Sequence, residues 1–362
     1  MGGSTTTGHC RGADNAAEFA RQQAKIVAAM AAIDADAFGV MEIQNNGNVA
    51  AADLATALNA RVGAGTYATG SLPADTGSDA IRVAILYKPA KLQAVGVAVS
   101  DNDPVNNRPT LAQTFALASG ERFTLFVNHL KSKGSCPSPA AADVRGNTDV
   151  GDGQGCWNLL RKQQAARLRS FVAQRQAAAG SNDVLLIGDF NAYAQEDPIT
   201  ELTSNGYVDQ IGRFDTFGYS YVFDGAAGRL DQAITNQSLS AKVSGAAPWH
   251  INADEAATLD YNLEFKAPEQ RCGVGSTMAC PPDPYQPTPY RASDHDPNVV
   301  GLALYRVIKD GSGRDVQTGS GSNDHSVHSS VLDGVDTITD FTPGASMLDF
   351  LDDDLASMPM CP

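Results

Sequence analysis

The chain has 362 residues, and 43% hydrophobic content is ample for a sizeable core, so one large domain or two ordinary ones are expected. A formal net charge of −15 and a pI near 4.7 argue against a partner held mainly through its phosphates, because that affinity rests on Lys and Arg. No window approaches about 18 consecutive apolar residues, and residues 1–9 hold no apolar run behind a basic one, so neither a spanning helix nor an intact signal peptide is expected.

The charge is unevenly spread. Residues 307–362 carry Lys309 and Arg314 against ten Asp, a net of −8, whereas residues 121–180 carry nine Lys/Arg against four Asp/Glu, a net of +5. The middle of the chain can therefore still meet a polyanion.

In chain order, Phe19, Ile26, Val27, Met30 and Ile33 recur at helical spacing, and Asn15 with Glu18 three residues on fits a capping box. This helix runs into "DAFGVMEIQN", a short strand with Glu42 near its end, and "AADLATALNARV" follows as a second helix. Next come "AIRVAILYK", "LQAVGVAVS", "AQTFALAS" and "RFTLFVNHLKS", read as consecutive strands with a turn at 119–121. Residues 157–179 form a long helix with Leu160, Ala165, Leu168 and Val172 inward. "DVLLIGDFN" is a buried strand ending in a polar turn, "DPITELTSNG" a short helix stopped by Gly206, "SYVFDGAAGRLDQAIT" a hairpin, and residues 297–305 a last strand. Strands in series interrupted by helices, with no GxGxxG, point to a mixed two-sheet α/β sandwich rather than a βαβ repeat. Beyond Tyr305 the Gly/Ser/Asp-rich stretch reads as linker with one degenerate calcium-type nonapeptide, after which residues 334–350 recover some strand-like alternation. A single repeat cannot bury its own face, so no β-roll is expected.

Cys136 and Cys156 flank one Gly/Asp-rich loop, and Cys272 and Cys280 another. Neither pair is CxxC, so loop-closing disulfides fit better than a metal cluster, with buried free thiols as the alternative. Disulfides imply an oxidising compartment. Cys10 and Cys361 remain, one near each terminus.

Strand ends deliver the polar groups: Glu42, His129, Asp189 with Asn191, and Asp294 with His295. Any one of these has an ordinary reading, such as an Asx turn or a satisfied histidine; together, at the mouths of successive strands, they look aimed. There is no GxSxG and no HExxH, so acyl transfer and zinc-protease chemistry lack their parts. Carboxylates, an amide and two histidines suit hydrolysis at phosphorus: oxygen ligands for a hard cation, a base for water, and donors for the charged intermediate.

In order along the chain, "CRGADNAAEFARQQAKI", "MEIQN", "DAIRVAILY", "NHLKSKG", "GDFNAY", "RLDQAI" and "SDHDP" resemble the endonuclease/exonuclease/phosphatase superfamily, the group of pancreatic deoxyribonuclease and the abasic-site endonucleases. The likeness is nearest to its bacterial extracellular nucleases and spans residues 10–305. It implies a four-layer sandwich, two mixed β-sheets face to face with helices outside. It implies Glu42 as principal metal ligand, Asp294 beside a second cation, and Mg²⁺ or Mn²⁺ as cofactor with Ca²⁺ a further candidate. Asp189 would orient the attacking water, Asn191 contact the phosphate, His295 act as catalytic histidine oriented by Asp231, and His129 stabilise the phosphorane or protonate the leaving oxygen. Arg82 and Lys131 would contact phosphate. Asp296 is read only as a strand-start turn.

The expected molecule is a secreted, monomeric nuclease cutting DNA, with RNA as second substrate and no membrane partner. Residues 1–306 would form the catalytic domain and 307–362 an acidic tail resembling a degenerate type I secretion region. The family's usual first strand looks absent from residues 1–9. Alternatives are a phosphatase or phospholipase of the same superfamily, or an impaired binding protein. A lipid-cleaving member would need an exposed aromatic hairpin, and none is expected here.

Overall fold

Asn15 opens the first helix as expected, its side chain accepting from Ala17 N and Glu18 N at 3.0 Å. This helix, α1 (Ala16–Ile33), ends at Asp34 in the left-handed conformation, φ 52°. The computed structural model describes residues 12–13, 15–138, 144–262 and 283–304, and the tail segments 306–309, 313–318, 324–328, 337–340 and 347–350. After α1 come β1 (Ala37–Gln44), α2 (Val49–Val62), β2 (Ala68–Thr69), β3 (Ile81–Tyr87), β4 (Gln93–Ser100), β5 (Leu111–Ala116) and β6 (Arg122–His129). Then follow α3 (Asn158–Ala179), β7 (Val184–Asp189), α4 (Asp197–Thr203), β8 (Tyr207–Asp209), α5 (Gln210–Phe214), β9 (Tyr221–Phe223), β10 (Ala226–Gly228), β11 (Asp231–Asn236), α6 (Gln237–Ser240), β12 (Val243–Pro248) and β13 (Asn298–Leu302).

One sheet has six strands in the order β4-β5-β6-β7-β11-β8. Its parallel pair is β6 with β7, because α3 carries the chain back to the starting edge between them. Opposite lie β1-β3-β2 and β12-β13. Val83 and Ile85 of β3 meet Phe115, Leu125 and Val127 of the large sheet, with Val300 and Leu302 of β13 packed alongside. The sheets approach closely: a Cβ on Gly39 would lie 2.7 Å from Ile187 Cδ1 and 2.8 Å from Val127 Cγ2. Outside, Leu168, Phe171 and Val172 of α3 with Ile199 and Leu202 of α4 cover Phe126, Leu186 and Ile234. On the other outer face, Val27, Met30, Ala55 and Leu58 of α1 and α2 cover Leu86 and Phe38. The result is the helix–sheet–sheet–helix sandwich expected, each layer apolar on the side it buries.

Some readings are corrected. The expected hairpin over 220–235 stops at β9 and β10; Asp231–Asn236 leaves it and pairs with β7 and β8 inside the large sheet. A run of buried residues, Asp231 to Thr235, fits an interior strand rather than a two-stranded ribbon. The tail is more than linker. Parallel β14 (Arg306–Lys309), β16 (Asp324–His328) and β18 (Met347–Phe350) form one sheet, and parallel β15 (Val316–Gln317) and β17 (Thr337–Ile338) another. Successive strands thus alternate between two sheets, the winding of a short parallel coil; the sequence showed strand-like alternation over 334–350 but not the coil, because a single repeat carries no signal of the turns around it. Cys136 and Cys156 are bonded, Cα to Cα 5.3 Å. Cys10, Cys272, Cys280 and Cys361 lie outside the described residues, as do residues 1–11 where the first strand was in question. Among the described residues no helix is long and apolar enough to cross a membrane.

Candidate active site

The large sheet sets three candidate residues in one row. In register, His129 at the end of β6 pairs with Asp189 at the end of β7, and Asp189 pairs with Asp231 at the start of β11. Side chains directly opposite on neighbouring strands share a face, so the row is a consequence of pairing alone. Gly188 makes the crossing possible: its φ is +126°, and a Cβ there would lie 2.1 Å from Asn128 O. Arg108 pins the end of β6, donating to Leu130 O at 2.6 Å and His129 O at 3.3 Å.

Around this row the backbone is strained where the side chains matter. Asn191 sits at φ 48° in the turn after β7; its N–H donates to Asp189 Oδ1 at 2.7 Å and its Nδ2 to Asp189 Oδ2 at 2.9 Å. Glu42 sits at φ 58° in a bulge, where the β1–β3 register shifts between Val40 and Ile43. A bulge turns the strand locally and re-aims a side chain. Positive φ in a non-glycine residue costs about 1–3 kcal/mol and persists where the surroundings enforce it. Glu42 is exposed, yet its Oε1 reaches 4.0 Å from His129 Nε2, which is itself 3.5 Å from Asp189 Oδ2.

His295 closes the site from the other layer. Its Nδ1 lies 2.7 Å from Asp231 Oδ2, the same oxygen that accepts from Ser220 Oγ at 2.7 Å. Burial opposes charge on this imidazole, but the charge of Asp231 and its hydrogen bond, with Asp189 and Asp294 behind, push His295 up to about 10. Burial and the charge of Asp231 push Asp189 up to about 7, against the opposing pull of His295, the Asn191 N–H and Arg108. The carboxylates thus repel one another in a dry place, which is an arrangement that attracts positive charge.

Asp189, Asp231 and His295 each offer a ligand atom, all within 4.8 Å of one another. His295 Nδ1 is engaged by Asp231, which leaves its Nε2 and the carboxylate oxygens as donors, with Glu42 across His129. An oxygen-rich set of this kind fits a hard divalent cation that keeps several waters. Asp294 is exposed at the rim, near Ser293 Oγ at 3.4 Å. Lys131 lies over Trp157, 4.8 Å from the ring centroid, and bonds Ser132.

Arg82 is not where the sequence reading put it. It is 3% exposed, and its guanidinium donates to Val83 O, Gly47 O and Asn48 Oδ1, which ties the β1–α2 loop to β3. A phosphate outside has no access to it. Other residues at the site went unnoticed in the sequence. Asp296, read as a simple turn, is 2% exposed and accepts from the N–H groups of Ile251, Asn252 and Ala253, while its Oδ2 meets His250 Nδ1 at 2.9 Å. Asn252 returns the clasp, accepting from Ala292 N and donating to His295 O at 2.7 Å. Asn298 donates to Asp231 O at 2.9 Å. These links join residues about 40 or more apart and carry no periodic or motif signal.

The family model for the Endonuclease/Exonuclease/phosphatase family matches residues 8–295. No curated protein sequence matches the chain. Among solved structures, a mannosyl-6-phosphatase from Bacteroides thetaiotaomicron is similar at TM-score 0.50 and 16% identity, over 81% of this chain and 97% of that one. Weaker likenesses include a truncated TDP2 from Caenorhabditis elegans, at TM-score 0.45 and 14% identity over 79% of this chain and 91% of that one. The human Nocturnin catalytic domain is similar at TM-score 0.44 and 14% identity, over 66% of this chain and 82% of that one.

Proposed function

The chain belongs to the endonuclease/exonuclease/phosphatase family, and from that premise we propose that it is a divalent-metal-dependent phosphodiesterase hydrolysing nucleic acid, DNA first and RNA second. The observation that carries the reading is the row His129–Asp189–Asp231 closed by His295 from the opposite layer. Family members are generally hydrolytic enzymes, and this row supplies the parts for attack of water on phosphorus.

Asp231 fixes the His295 ring through Nδ1 and leaves Nε2 for the proton of the attacking water. Asp189, held by Asn191, orients that water, and Asn191 would contact the phosphate from the turn after β7. His129 stands between Asp189 and Glu42, where it protonates the leaving oxygen or offsets charge on the phosphorane. Glu42 and Asp189 would hold Mg²⁺ or Mn²⁺, with Asp294 toward a second ion such as Ca²⁺; a bound cation supplies charge that polarises the phosphate and lowers the proton affinity of His295. Lys131 contacts the phosphate backbone, which positions a strand without reading its sequence.

The Cys136–Cys156 bond supports export to an oxidising compartment, and we place the catalytic unit in residues 1–306, working as a monomer, with 307–362 as an appended acidic unit. The test is incubation of plasmid, single-stranded DNA, RNA and a phosphomonoester with Mg²⁺, Mn²⁺, Ca²⁺ or EDTA. Cleavage of DNA that EDTA abolishes supports the reading; release of phosphate from the monoester alone would replace it with a phosphatase.

A further inference from the structure

The segment entering β9 reads Phe217-Gly-Tyr219-Ser-Tyr221-Val-Phe223, an aromatic at every second position. Alternate residues of a strand share one face, which puts Tyr221 and Phe223 of β9 side by side, while Phe217 and Tyr219 lie in the turn and the irregular segment that lead into it. Phe217 is 91% exposed and Phe223 59%, against the sequence expectation that no loop here offers exposed aromatics. The inner end of the stripe is built into the site. Tyr221 lies against the His295 ring, centroids 4.6 Å apart, and Tyr219 stacks on His250 at 3.9 Å with 13° between the planes. Between them Ser220 holds Asp231.

Tyr221 and Phe223 are nearly parallel, 14° apart, with centroids separated by 6.5 Å. Successive bases on a strand rise about 3.4 Å, so two such steps are about 6.8 Å, close to the gap between the rings. That separation is the room a flat heterocycle needs between two parallel ring faces.

We propose that Tyr221 and Phe223 clamp one unpaired base of a single-stranded nucleic acid, and that Phe217 extends the platform for a strand whose scissile phosphate lies at Asp189 and His295. This deepens the nuclease reading above and rests on it. Stacking on aromatics binds every base because every base has a π face, which suits an enzyme of low sequence preference. A lipid surface fits worse. Exposed Asp224, Asp254 and Asp294 flank the stripe and would have to be buried unpaired for it to enter the apolar part of a bilayer, whereas a base stacked between the rings leaves them in water, and the Tyr219 hydroxyl is turned to Asp254 at 3.0 Å.

The test uses the full chain in EDTA at low salt, with three probes: a fluorescent single-stranded oligonucleotide, the same oligonucleotide with its central bases removed, and its duplex. Wild type should bind the first about tenfold or more tighter than the other two, since each stacked base is worth at least about that factor. It should also quench 2-aminopurine placed at the clamped position. Phe223→Ala should erase the preference for intact bases, and Phe223→Trp should retain it. Equal loss on intact and base-free strands, or undiminished preference in Phe223→Ala at an unchanged melting temperature, would overturn the clamp. Co-sedimentation of wild type but not Phe217→Ala with phosphatidylcholine–phosphatidylglycerol vesicles would reassign the stripe to a membrane and overturn it too. Parallel digestion with Mg²⁺ separates the two levels: wild type that cleaves neither DNA nor RNA refutes the nuclease reading, whereas wild type that cleaves both yet binds the intact and base-free strands equally refutes the clamp alone.

Discussion

Replacing Asp296 by Ala tests whether the loop that carries His295 is held by the clasp at Asp296 and Asn252. Asp296 Oδ1 accepts from Asn252 N at 2.7 Å, Ile251 N at 3.0 Å and Ala253 N at 3.1 Å. Those three residues are between 1% and 7% exposed, so water cannot replace the carboxylate without the loop opening. An unsatisfied buried donor costs about 1–3 kcal/mol, so three of them cost about 3–9 kcal/mol, and loop relaxation brings the expected loss to the low end, about 3–4 kcal/mol. Because Asn252 in turn holds His295 O, the imidazole loses its support as well. Urea unfolding gives the stability loss as a lower midpoint at unchanged slope. Cleavage rate measured well below that midpoint should fall at least about tenfold, as happens when a group that orients a reacting residue is loosened. Asp296→Asn keeps one oxygen acceptor and should fall between wild type and Asp296→Ala in both readouts. A loss under about 1 kcal/mol in Asp296→Ala, the size of an ordinary surface change, would refute the clasp.

The remaining expectations are briefer. His295→Ala and Asp189→Ala should each cost several powers of ten in rate and the double variant little more, because parts of one unit are not additive; near wild-type turnover by His295→Ala would remove it from the mechanism. In EDTA, His295 is raised from its ordinary 6.5 to about 10 and Asp189 from 3.8 to about 7, so each stabilises the fold at low pH and loses that contribution as pH rises through its window. The melting temperature of the metal-free protein should therefore decline between pH 6.5 and 10, and a flat profile in the wild type, or the same decline in His295→Gln, would contradict the pairing with Asp231. Cutting the Cys136–Cys156 bond, which closes a loop over a separation of 20 residues, should cost about 2–4 kcal/mol in Cys136→Ser by urea unfolding, and no change would mean the loop is held by its other contacts. Deleting residues 307–362, net −8, should strengthen DNA binding at low salt and not at high salt; a collapsed melting transition would show instead that the parallel strands are part of the core.

What the sequence determined by itself is local. Asn15 marks the start of α1, the apolar runs mark β3, β5, β6 and β7, and Leu168 and Val172 mark the inner face of α3, because caps and periodicity act within a turn or a strand. The motifs around Glu42, Asp189 and His295 were legible for a related reason: Asp189 ends β7, Glu42 lies two residues before the end of β1 and His295 just before β13, and strand ends are visible as a switch between apolar and polar residues. The tertiary structure alone decided which of these meet. Asp231 faces Asp189 only because β11 leaves the hairpin and pairs with β7 inside the large sheet, where Ile234 joins the core with Leu186. Arg82 had the charge for a phosphate, but the layer of α2 over β3 buries it and turns it to Gly47 and Asn48. Asp296 looked like a turn, and its partners at 250–253 are more than 40 residues away in the chain. Long-range pairing of this kind depends on where whole sheets and loops come to rest, and no local pattern encodes it.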